Sequence, residues 1–331
     1  MSSSEAKPTY SRRFMWLAIF IVLLIGAYTA GWFYLAGKVT ERVNATLALV
    51  NRDGVTAECA NPVVRGYPFR LELSCDSLGY EDTGRNIVAT VGSLSTAAQV
   101  YQPMRVVAEL DGPLRAALPG LPQLWLDWDN LRASARLARP LPQILSVEAG
   151  GFSGQTDPDE GDPVMLFSAE KVEGHLRPNG ADLDGAGSFA GLEIDAAAVG
   201  GRTIPVLNGS GDATLANGVA FVLSRAASLR GQSGTIRSLD LSTGPNTGVS
   251  LSGTFSVGAD GLLDADLKVG IRDPKGVAAA LSTAFPEAAK QINNGFAGLA
   301  LLGDASSMPL KIVRGKAMLG FIPLAEIPPL S

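Results

Sequence analysis

The sequence predicts a mainly β protein that one N-terminal helix holds in a membrane. An uncharged run of 22 residues lies near the start of the chain, at 14–35. Beyond it, short segments alternate apolar and polar residues, which is the period of a strand with one buried face. Helix-length periodic segments between these strands are scarce, so the sheet should be antiparallel and not built from parallel βαβ units.

The apolar run from Phe14 to Leu35 is interpreted as a membrane anchor. At ~1.5 Å per residue, a helix of this length crosses the ~30 Å hydrocarbon layer. Aromatic residues at both ends resemble an interfacial belt. A cleaved signal peptide is the alternative, but its apolar region would span about 7–15 residues and end in small residues. We therefore predict a single-pass signal anchor.

Flanking charges and cysteines predict the location. Three basic residues precede the span and two follow it closely, which places the N-terminus in the cytoplasm. The two cysteines of the chain, Cys59 and Cys75, both lie beyond the span. Their close spacing favours a disulfide and an oxidising compartment, with two free buried thiols as the alternative. We expect a protein of the inner (cytoplasmic) membrane whose C-terminal domain lies in the periplasm.

The chain is expected to contain four parts. They are a cytoplasmic tail at 1–13, the span at 14–35, a helical stalk at 36–53 and an exported β-rich domain at 54–331. The large antiparallel sheet of this domain should be curled or folded into two layers, because long open sheets rarely stay flat. A strand is predicted at 218–224 and a short helix near 129–137.

Amphipathic helices are predicted at about 274–302, near the C-terminus. Asp273 and Pro274 form a helix start, with Asp as the N-cap and Pro at the first helical position. Pro286 should interrupt the helical pattern. The apolar side chains of this segment are expected to bury against the sheet, namely Phe285, Ile292, Phe296 and Leu299.

The cysteines also predict a hairpin. The alternating segments 55–59 and 69–75 can pair with Cys59 directly opposite Cys75, which centres the turn on Tyr67. Val63 would then lie opposite Leu71. The turn is interpreted either as an exposed recognition tip or as a packed turn, and its residues are Gly66, Tyr67, Pro68 and Phe69.

Four stretches together resemble a known family. They are VNRDGV (50–55), CANPVVRGYPFRLELSC (59–75), AEKVEGHLRP (169–178) and GKAMLGFIPLAEIPPL (315–330). The chain is similar through them to domain-of-unknown-function family 2125, uncharacterised envelope proteins of Gram-negative bacteria. The resemblance implies a membrane anchor and an exported β-rich domain, without an activity or site residues. A vaguer similarity is to AsmA-like envelope proteins, which resemble lipid-handling β-grooves behind an anchor.

Candidate chemical groups are few. His175, the single histidine, has no visible nucleophile partner and is interpreted as a solvated strand residue. The acidic run at 157–162 lacks the spacing of a calcium loop. Gly185, Gly187 and Gly191 depart from the dinucleotide-binding pattern. Trp125 and Trp128 are expected to pack in the core. We therefore expect no enzyme activity, no metal and no cofactor.

Charge and architecture together suggest a function. Residues 39–331 carry 23 Lys and Arg against 31 Asp and Glu, a net charge of −8, so neither nucleic acid nor an anionic membrane surface should attract this domain. A long sheet must curl, pair with another layer or hold something apolar. We expect a protein that binds or shields an apolar ligand such as a lipid in a β-groove. The alternative is a structural or assembly partner that acts through protein–protein contacts.

Overall fold

The computed structural model describes residues 10–52, 54–224, 228–299, 307–320 and 322–330. Its first element is one helix, α1 (Tyr10–Val50), which contains the predicted span and the predicted stalk as far as Val50 without a break. The part from Arg12 to Val50 is long and apolar enough to cross a membrane. This agrees with a single-pass anchor.

The rest of the described chain is mainly one antiparallel sheet that does not close, as predicted. Strands contain 49% of the residues and helices contain 24%, so the fold class is mainly β. The strands are β1 (Val55–Cys59), β2 (Val63–Arg65), β3 (Arg70–Cys75), β4 (Leu78–Asp82), β5 (Ile87–Val91), β6 (Leu94–Gln99), β7 (Gln102–Leu110), β8 (Leu114–Ala117), β9 (Leu124–Asp127), β10 (Asn130–Arg136), β11 (Ile144–Thr156), β12 (Met165–Asn179), β13 (Asp182–Ile194), β14 (Leu207–Leu215), β15 (Ser233–Ser242), β16 (Gly248–Val257), β17 (Leu263–Arg272), β18 (Ser307–Val313), β19 (Lys316–Leu319) and β20 (Ile322–Glu326).

The first ten strands are halves of five longer strands. β1 pairs with β4 and β2 pairs with β3, and the ladder resumes in the same register after the break between the halves. The next strands pair half with half in the same way, with β4–β5 beside β3–β6, β5–β8 beside β6–β7, and β8–β9 beside β7–β10, although the register shifts by one residue across the last two breaks. From β11 onward, each strand pairs with the next one in sequence. The whole sheet is therefore a meander.

The breaks in these long strands lie side by side and form a crease across the sheet. β11 passes through the crease unbroken. Its first half pairs with β10 and its second half pairs with β9. Gly151 sits on the crease with φ +60°, and a Cβ there would lie 2.3 Å from Oδ2 of Asp129. Glycine is required at this position. The crease separates a first arm (β2, β3, β6, β7, β10) from a second arm (β1, β4, β5, β8, β9).

The disulfide between Cys59 and Cys75 is present, with Cα atoms 5.4 Å apart, so this pairing is confirmed. The predicted register is wrong by three residues, because Cys59 lies opposite Leu78 and Val63 lies opposite Ser74. Each strand breaks at the crease directly after its cysteine. The two cysteines, which would lie apart in a flat ladder, therefore meet across the crease. The bond therefore joins the second arm to the first arm.

Among the residues that the structure describes, three helices accompany the sheet: α2 (Gly218–Leu223), α3 (Pro274–Ala284) and α4 (Ala289–Leu299). The predicted start of α3 is confirmed, since the Asp273 carboxylate accepts a hydrogen bond from the backbone N–H of Gly276 at 3.1 Å. A 3₁₀ turn at Pro286–Ala288 interrupts the helical segment, as expected. Residues 300–302 of the predicted segment lie outside the described residues.

The prediction that both C-terminal helices bury on the sheet is wrong in part. α3 packs on β16 and β17, whereas α4 packs against α3. Phe285 is 41% exposed, and Ile292 and Phe296 are half-buried. The side chain of Leu299 lies outside the described residues. Of the two C-terminal helices, α3 is therefore the one that covers the sheet.

Two local predictions are also wrong. Residues 130–136 form the strand β10, because β7 and β11 pair with it on both sides. Residues 218–223 form the helix α2, because Asn217 adopts a left-handed conformation (φ 53°) and turns the chain out of β14. Gly218 then contacts Leu183 so closely that a Cβ would lie 2.5 Å away.

Buried side chains form two clusters on the sheet. Trp128 is 8% exposed beside the crease, donates a hydrogen bond to the Leu110 carbonyl (2.7 Å) and stacks on Phe152, which confirms its predicted packing. In the second cluster, Leu267 packs with Ile312. The accessible surface is 20976 Å². A compact monomer of this mass would expose about 12,900 Å². The exposed helix α1 and the half-covered sheet both contribute to this excess.

Candidate functional site

The register of the sheet collects its apolar side chains on one face. Directly paired residues of neighbouring strands point to the same side, so a chain of pairs defines a row across the sheet. One row is Val64, Leu73, Thr96, Ala108, Ala133, Val147, Gly174, Gly187, Gly211, Leu239, Leu251, Val269 and Met308.

A second row lies beside the first on the same face. It is Leu71, Ala98, Val106, Ala135, Leu145, Leu176, Gly185, Ala213, Ile236, Gly253, Leu267, Leu310 and Leu319. Each row crosses thirteen strands without a charged residue. We call this surface the apolar face.

The opposite face of the sheet is polar. Arg132 pairs with Glu109 at 3.0 Å, and Lys171 pairs with Glu173 at 2.6 Å. These contacts raise the pKa of Lys171 and lower the pKa of Glu173, mainly through the hydrogen bond between the two side chains. One face is thus suited to water and the other to an apolar partner.

A trough of ≈ 420 Å³ lies in the middle of the apolar face. Val147 and Leu176 line one side, and Leu239 lines the other, and these three side chains are 37%, 45% and 46% exposed. The floor is formed by four glycines, Gly174, Gly185, Gly187 and Gly211. Strands without side chains at these positions leave a channel that larger residues would fill.

A second apolar pocket of ≈ 230 Å³ lies beneath α3. Leu241 and Val249 of the sheet line it together with Val277 and Phe285. Leu241 follows the trough residue Leu239 on the same side of β15, because alternate residues of a strand share a face. The apolar surface therefore continues from the trough to α3.

The predicted tip packs against the apolar part of α1, within the uncharged run at 14–35. The turn is held there by hydrogen bonds from Tyr28 Oη to the Pro68 carbonyl (2.5 Å), between Thr29 Oγ1 and Tyr67 Oη (2.7 Å) and from Trp32 Nε1 to the Arg70 carbonyl (2.9 Å). The Tyr67 ring also stacks on Phe33, with centroids 6.0 Å apart. Tyr67 and Phe69 nevertheless stay 46% and 68% exposed. The turn is therefore packed on one side and open on the other.

A buried carboxylate that sequence reasoning missed lies on the polar face. Asp184 is 4% exposed and accepts hydrogen bonds from Thr214 (2.7 Å), Arg237 (3.1 Å) and Arg177 (3.1 Å). The Thr214 hydroxyl and the Arg237 guanidinium lower the pKa of Asp184 to about 2. Only the cross-strand register brings these residues together, so no local motif could have found them. Arg237 also pairs with Asp212, so two arginines face two carboxylates, and we interpret the cluster as a structural clamp between β12, β13, β14 and β15.

The other candidate groups do not form a reactive centre. His175 is exposed, and its Nδ1 lies 2.9 Å from Oγ of Ser146 on the paired strand. In the acidic turn, Asp157 accepts the backbone N–H of Asp159 (2.9 Å), whose carboxylate pairs with Arg115 (2.6 Å). Within the described residues, no group of three or more His, Cys, Asp and Glu side chains could hold a metal ion. Gly185 and Gly187 belong to the floor of the trough instead of a phosphate loop.

Comparison with known proteins gives one match. A family model described as an uncharacterized protein conserved in bacteria, DUF2125, matches residues 32–328. No curated protein and no solved structure matches this sequence.

Proposed function

The chain belongs to the DUF2125 family of uncharacterized bacterial proteins, and we propose that it is a membrane-anchored, non-enzymatic protein that binds lipid acyl chains on its apolar face. The observation that carries the proposal is the pair of uncharged rows, each crossing thirteen strands, whose central residues are only half covered. Monomeric proteins rarely leave a contiguous apolar surface of this extent open without a partner for it.

An acyl chain matches the shape and chemistry of the trough. Each methylene group removed from water contributes about 0.8 kcal/mol. The glycine floor offers close contact along the strands without polar side chains that would need their own partners. An ideal Cβ at Gly174 would meet no atom within 4 Å, so the space above the floor is free. The trough therefore suits a flexible apolar chain better than a polar substrate.

The proposed location is the inner membrane, with the sheet domain in the periplasm. A disulfide that joins the two arms of the sheet requires an oxidising compartment. The helix α1 supplies the anchor, and basic residues are in excess before its apolar part. Lipid would then be available directly from the bilayer that holds α1.

Photo-labelling of the full chain in nanodiscs tests the acyl-chain site. The nanodiscs contain phosphatidylcholine with a diazirine in its acyl chain, and mass spectrometry maps the labelled peptides. We expect label in residues 145–147, 174–176 and 236–241 in addition to the span at 14–35. Label confined to α1 would contradict the proposal, and the labelled span serves as an internal control for the reaction.

A blocking variant makes the test specific. Gly174→Phe places a ring above the trough floor where the structure leaves open space. It should remove the label from the sheet and leave the label in α1. The matched control is Gly244→Phe, which also meets open space but lies in the turn between β15 and β16. It should leave both labels unchanged.

Assembly through protein contacts is the second candidate function. β20 is the last strand of the described sheet and pairs only with β19, so one edge is unpaired there. Pro323 lacks a backbone N–H and weakens this edge as a docking strand. Chemical crosslinking in cell membranes should find a partner peptide joined to 322–326 if this candidate function is correct.

A further inference from the structure

We propose that the strand ends nearest α1 form an edge that lies on the bilayer and recognises the phosphate headgroups of anionic phospholipids. This inference rests on α1 spanning the membrane, which is part of the proposed function, but not on the trough. We call these strand ends the membrane edge. Its residues are Arg65, Phe69, Arg70, Tyr101, Met104, Arg105, Arg136, Leu137 and Arg139.

The contacts with α1 fix the depth of the membrane edge. The turn before β3 bonds to Tyr28, Thr29 and Trp32. These three residues lie between seven and three positions before Leu35, the last residue of the uncharged run. At ~1.5 Å per residue, the turn therefore sits roughly 5–10 Å inside the end of the run. A turn held there meets the interfacial layer whenever α1 crosses the bilayer.

The apolar side of the membrane edge is suited to that layer. Phe69, Tyr101 and Met104 are 68%, 69% and 60% exposed. Backbone hydrogen bonds link the strand ends into one border, from Val100 N–H to the Phe69 carbonyl (3.0 Å) and from Leu137 N–H to the Met104 carbonyl (2.7 Å). Aromatic side chains are enriched at membrane interfaces, where an apolar ring can be buried while polar groups stay hydrated.

Arginines occupy the polar side of the same border. Arg105 and Arg136 lie directly opposite each other on β7 and β10, although like charges at paired positions destabilise a sheet. Arg65 and Arg70 flank the turn, and both are exposed. None of these four residues forms an ion pair with a residue that the structure describes. An external anion would remove their mutual repulsion.

Arginines elsewhere in the sheet domain are arranged differently. Eight of them pair with a carboxylate, namely Arg85, Arg115, Arg132, Arg177, Arg202, Arg237, Arg272 and Arg314. At the membrane edge, Glu72 lies opposite Arg65 in register but accepts a hydrogen bond from Ser95 at 3.4 Å. The net acidic charge of the domain is therefore reversed locally, and the expectation that the domain avoids anionic lipid does not apply to this edge.

The separation of the two residue types supports a headgroup site. Phe69, Met104 and Leu137 continue the apolar face, whereas Arg70, Arg105 and Arg136 continue the polar face, because alternate residues of a strand point to opposite sides. Guanidinium groups bind phosphate in a bidentate manner. A border with apolar side chains on one face and arginines on the other matches the boundary between acyl chains and phosphate groups.

Site-specific crosslinking in the full chain tests the inference. Benzoylphenylalanine replaces Phe69, and the protein is placed in nanodiscs with equal amounts of phosphatidylglycerol and phosphatidylcholine. Mass spectrometry then measures the ratio of the two lipid adducts. We expect adducts at Phe69 with phosphatidylglycerol enriched roughly fivefold, as one arginine near an anionic lipid surface would produce. Crosslinker at Leu121, which is 57% exposed at the opposite strand ends, should give no lipid adduct.

Charge variants assign the enrichment to the arginines. R70Q/R105Q/R136Q should return the lipid ratio to that of the bulk bilayer. A control with the same charge change at ion-paired positions, R115Q/R202Q/R314Q, should keep the enrichment. If the first triple variant fails to fold, the single change R105Q should still lower the ratio. The inference would be overturned if Phe69 gave no lipid adducts, or if the lipid ratio were the same with and without the arginines of the membrane edge.

The two proposals fail separately. Headgroup-selective adducts at Phe69 without acyl-chain label in the trough would preserve the membrane edge and contradict the groove. Label in the trough without adducts at Phe69 would preserve the groove and contradict the membrane edge.

Discussion

The indole N–H of Trp32 donates a hydrogen bond of 2.9 Å to the carbonyl oxygen of Arg70 and so ties the anchor helix to the first hairpin of the sheet. Trp32 is 5% exposed and Ala36, one turn further along α1, is 8% exposed, whereas the run from Phe14 to Ile25 presents its large apolar side chains outward. Trp32 therefore lies near the end of the uncharged run and also joins α1 to the β domain.

Trp32→Phe should loosen this joint without removing the ring contact with Tyr67. A neutral hydrogen bond contributes about 1 kcal/mol net, which corresponds to roughly fivefold faster local opening. Hydrogen exchange of residues 66–70 in nanodiscs measures the change. Trp16→Phe is the matched control, because Trp16 is 66% exposed at the other end of the span. Equal exchange rates in both variants would contradict the role of Trp32.

Removing the disulfide should destabilise the fold. Cys59 and Cys75 close a loop with a sequence separation of 16. The chain-entropy model gives about 3 kcal/mol for a loop of this size. The free energy of unfolding of C59S/C75S in urea, compared with that of the unreduced protein, tests the value. Two reactive thiols in unreduced, denatured protein would contradict the bond itself.

Acid should weaken the sheet through Asp184. The pKa of this carboxyl is lowered from 3.8 to about 2 in the folded protein, first by Thr214 and then by Arg237. Its contribution to stability is therefore complete above pH ~4 and is lost as the pH falls towards 2. Urea midpoints measured from pH 6 to pH 2 should fall less steeply in Asp184→Asn than in the wild type. Glu58→Gln, a change at an exposed strand residue, should keep the wild-type slope.

Two glycines should respond to alanine in opposite ways. A Cβ at Gly174 meets open space, so Gly174→Ala should stabilise the fold by roughly 0.4–1 kcal/mol through the unfolded chain. Gly253 has φ +142°, and a Cβ there would lie 2.2 Å from the Asp266 carbonyl oxygen. Gly253→Ala should therefore destabilise the fold by more than about 1 kcal/mol. Urea unfolding of the two variants measures both values, and a loss of stability in Gly174→Ala would show that the trough floor is packed.

Particular residues show how far the sequence could predict the site. The alternation of VSLSGTFSV identified β16, and Asp273-Pro274 identified the start of α3, because both signals come from neighbours in the chain. The same alternation already assigned side chains to the apolar face, because each residue of the two rows lies on the apolar side of its strand. The rows themselves needed the register, which bulges shift at several places.

The sequence by itself determined the long apolar N-terminal helix, the β-rich class and the pairing of Cys59 with Cys75. These features follow from length, period and residue type, which act locally along the chain. Only the tertiary structure decided the crease, the three-residue change in register and the placement of Arg105 opposite Arg136. It also placed the turn before β3 at the depth of Trp32. The physical reason is that strand periodicity specifies which face a side chain takes but not which residue of the neighbouring strand it meets.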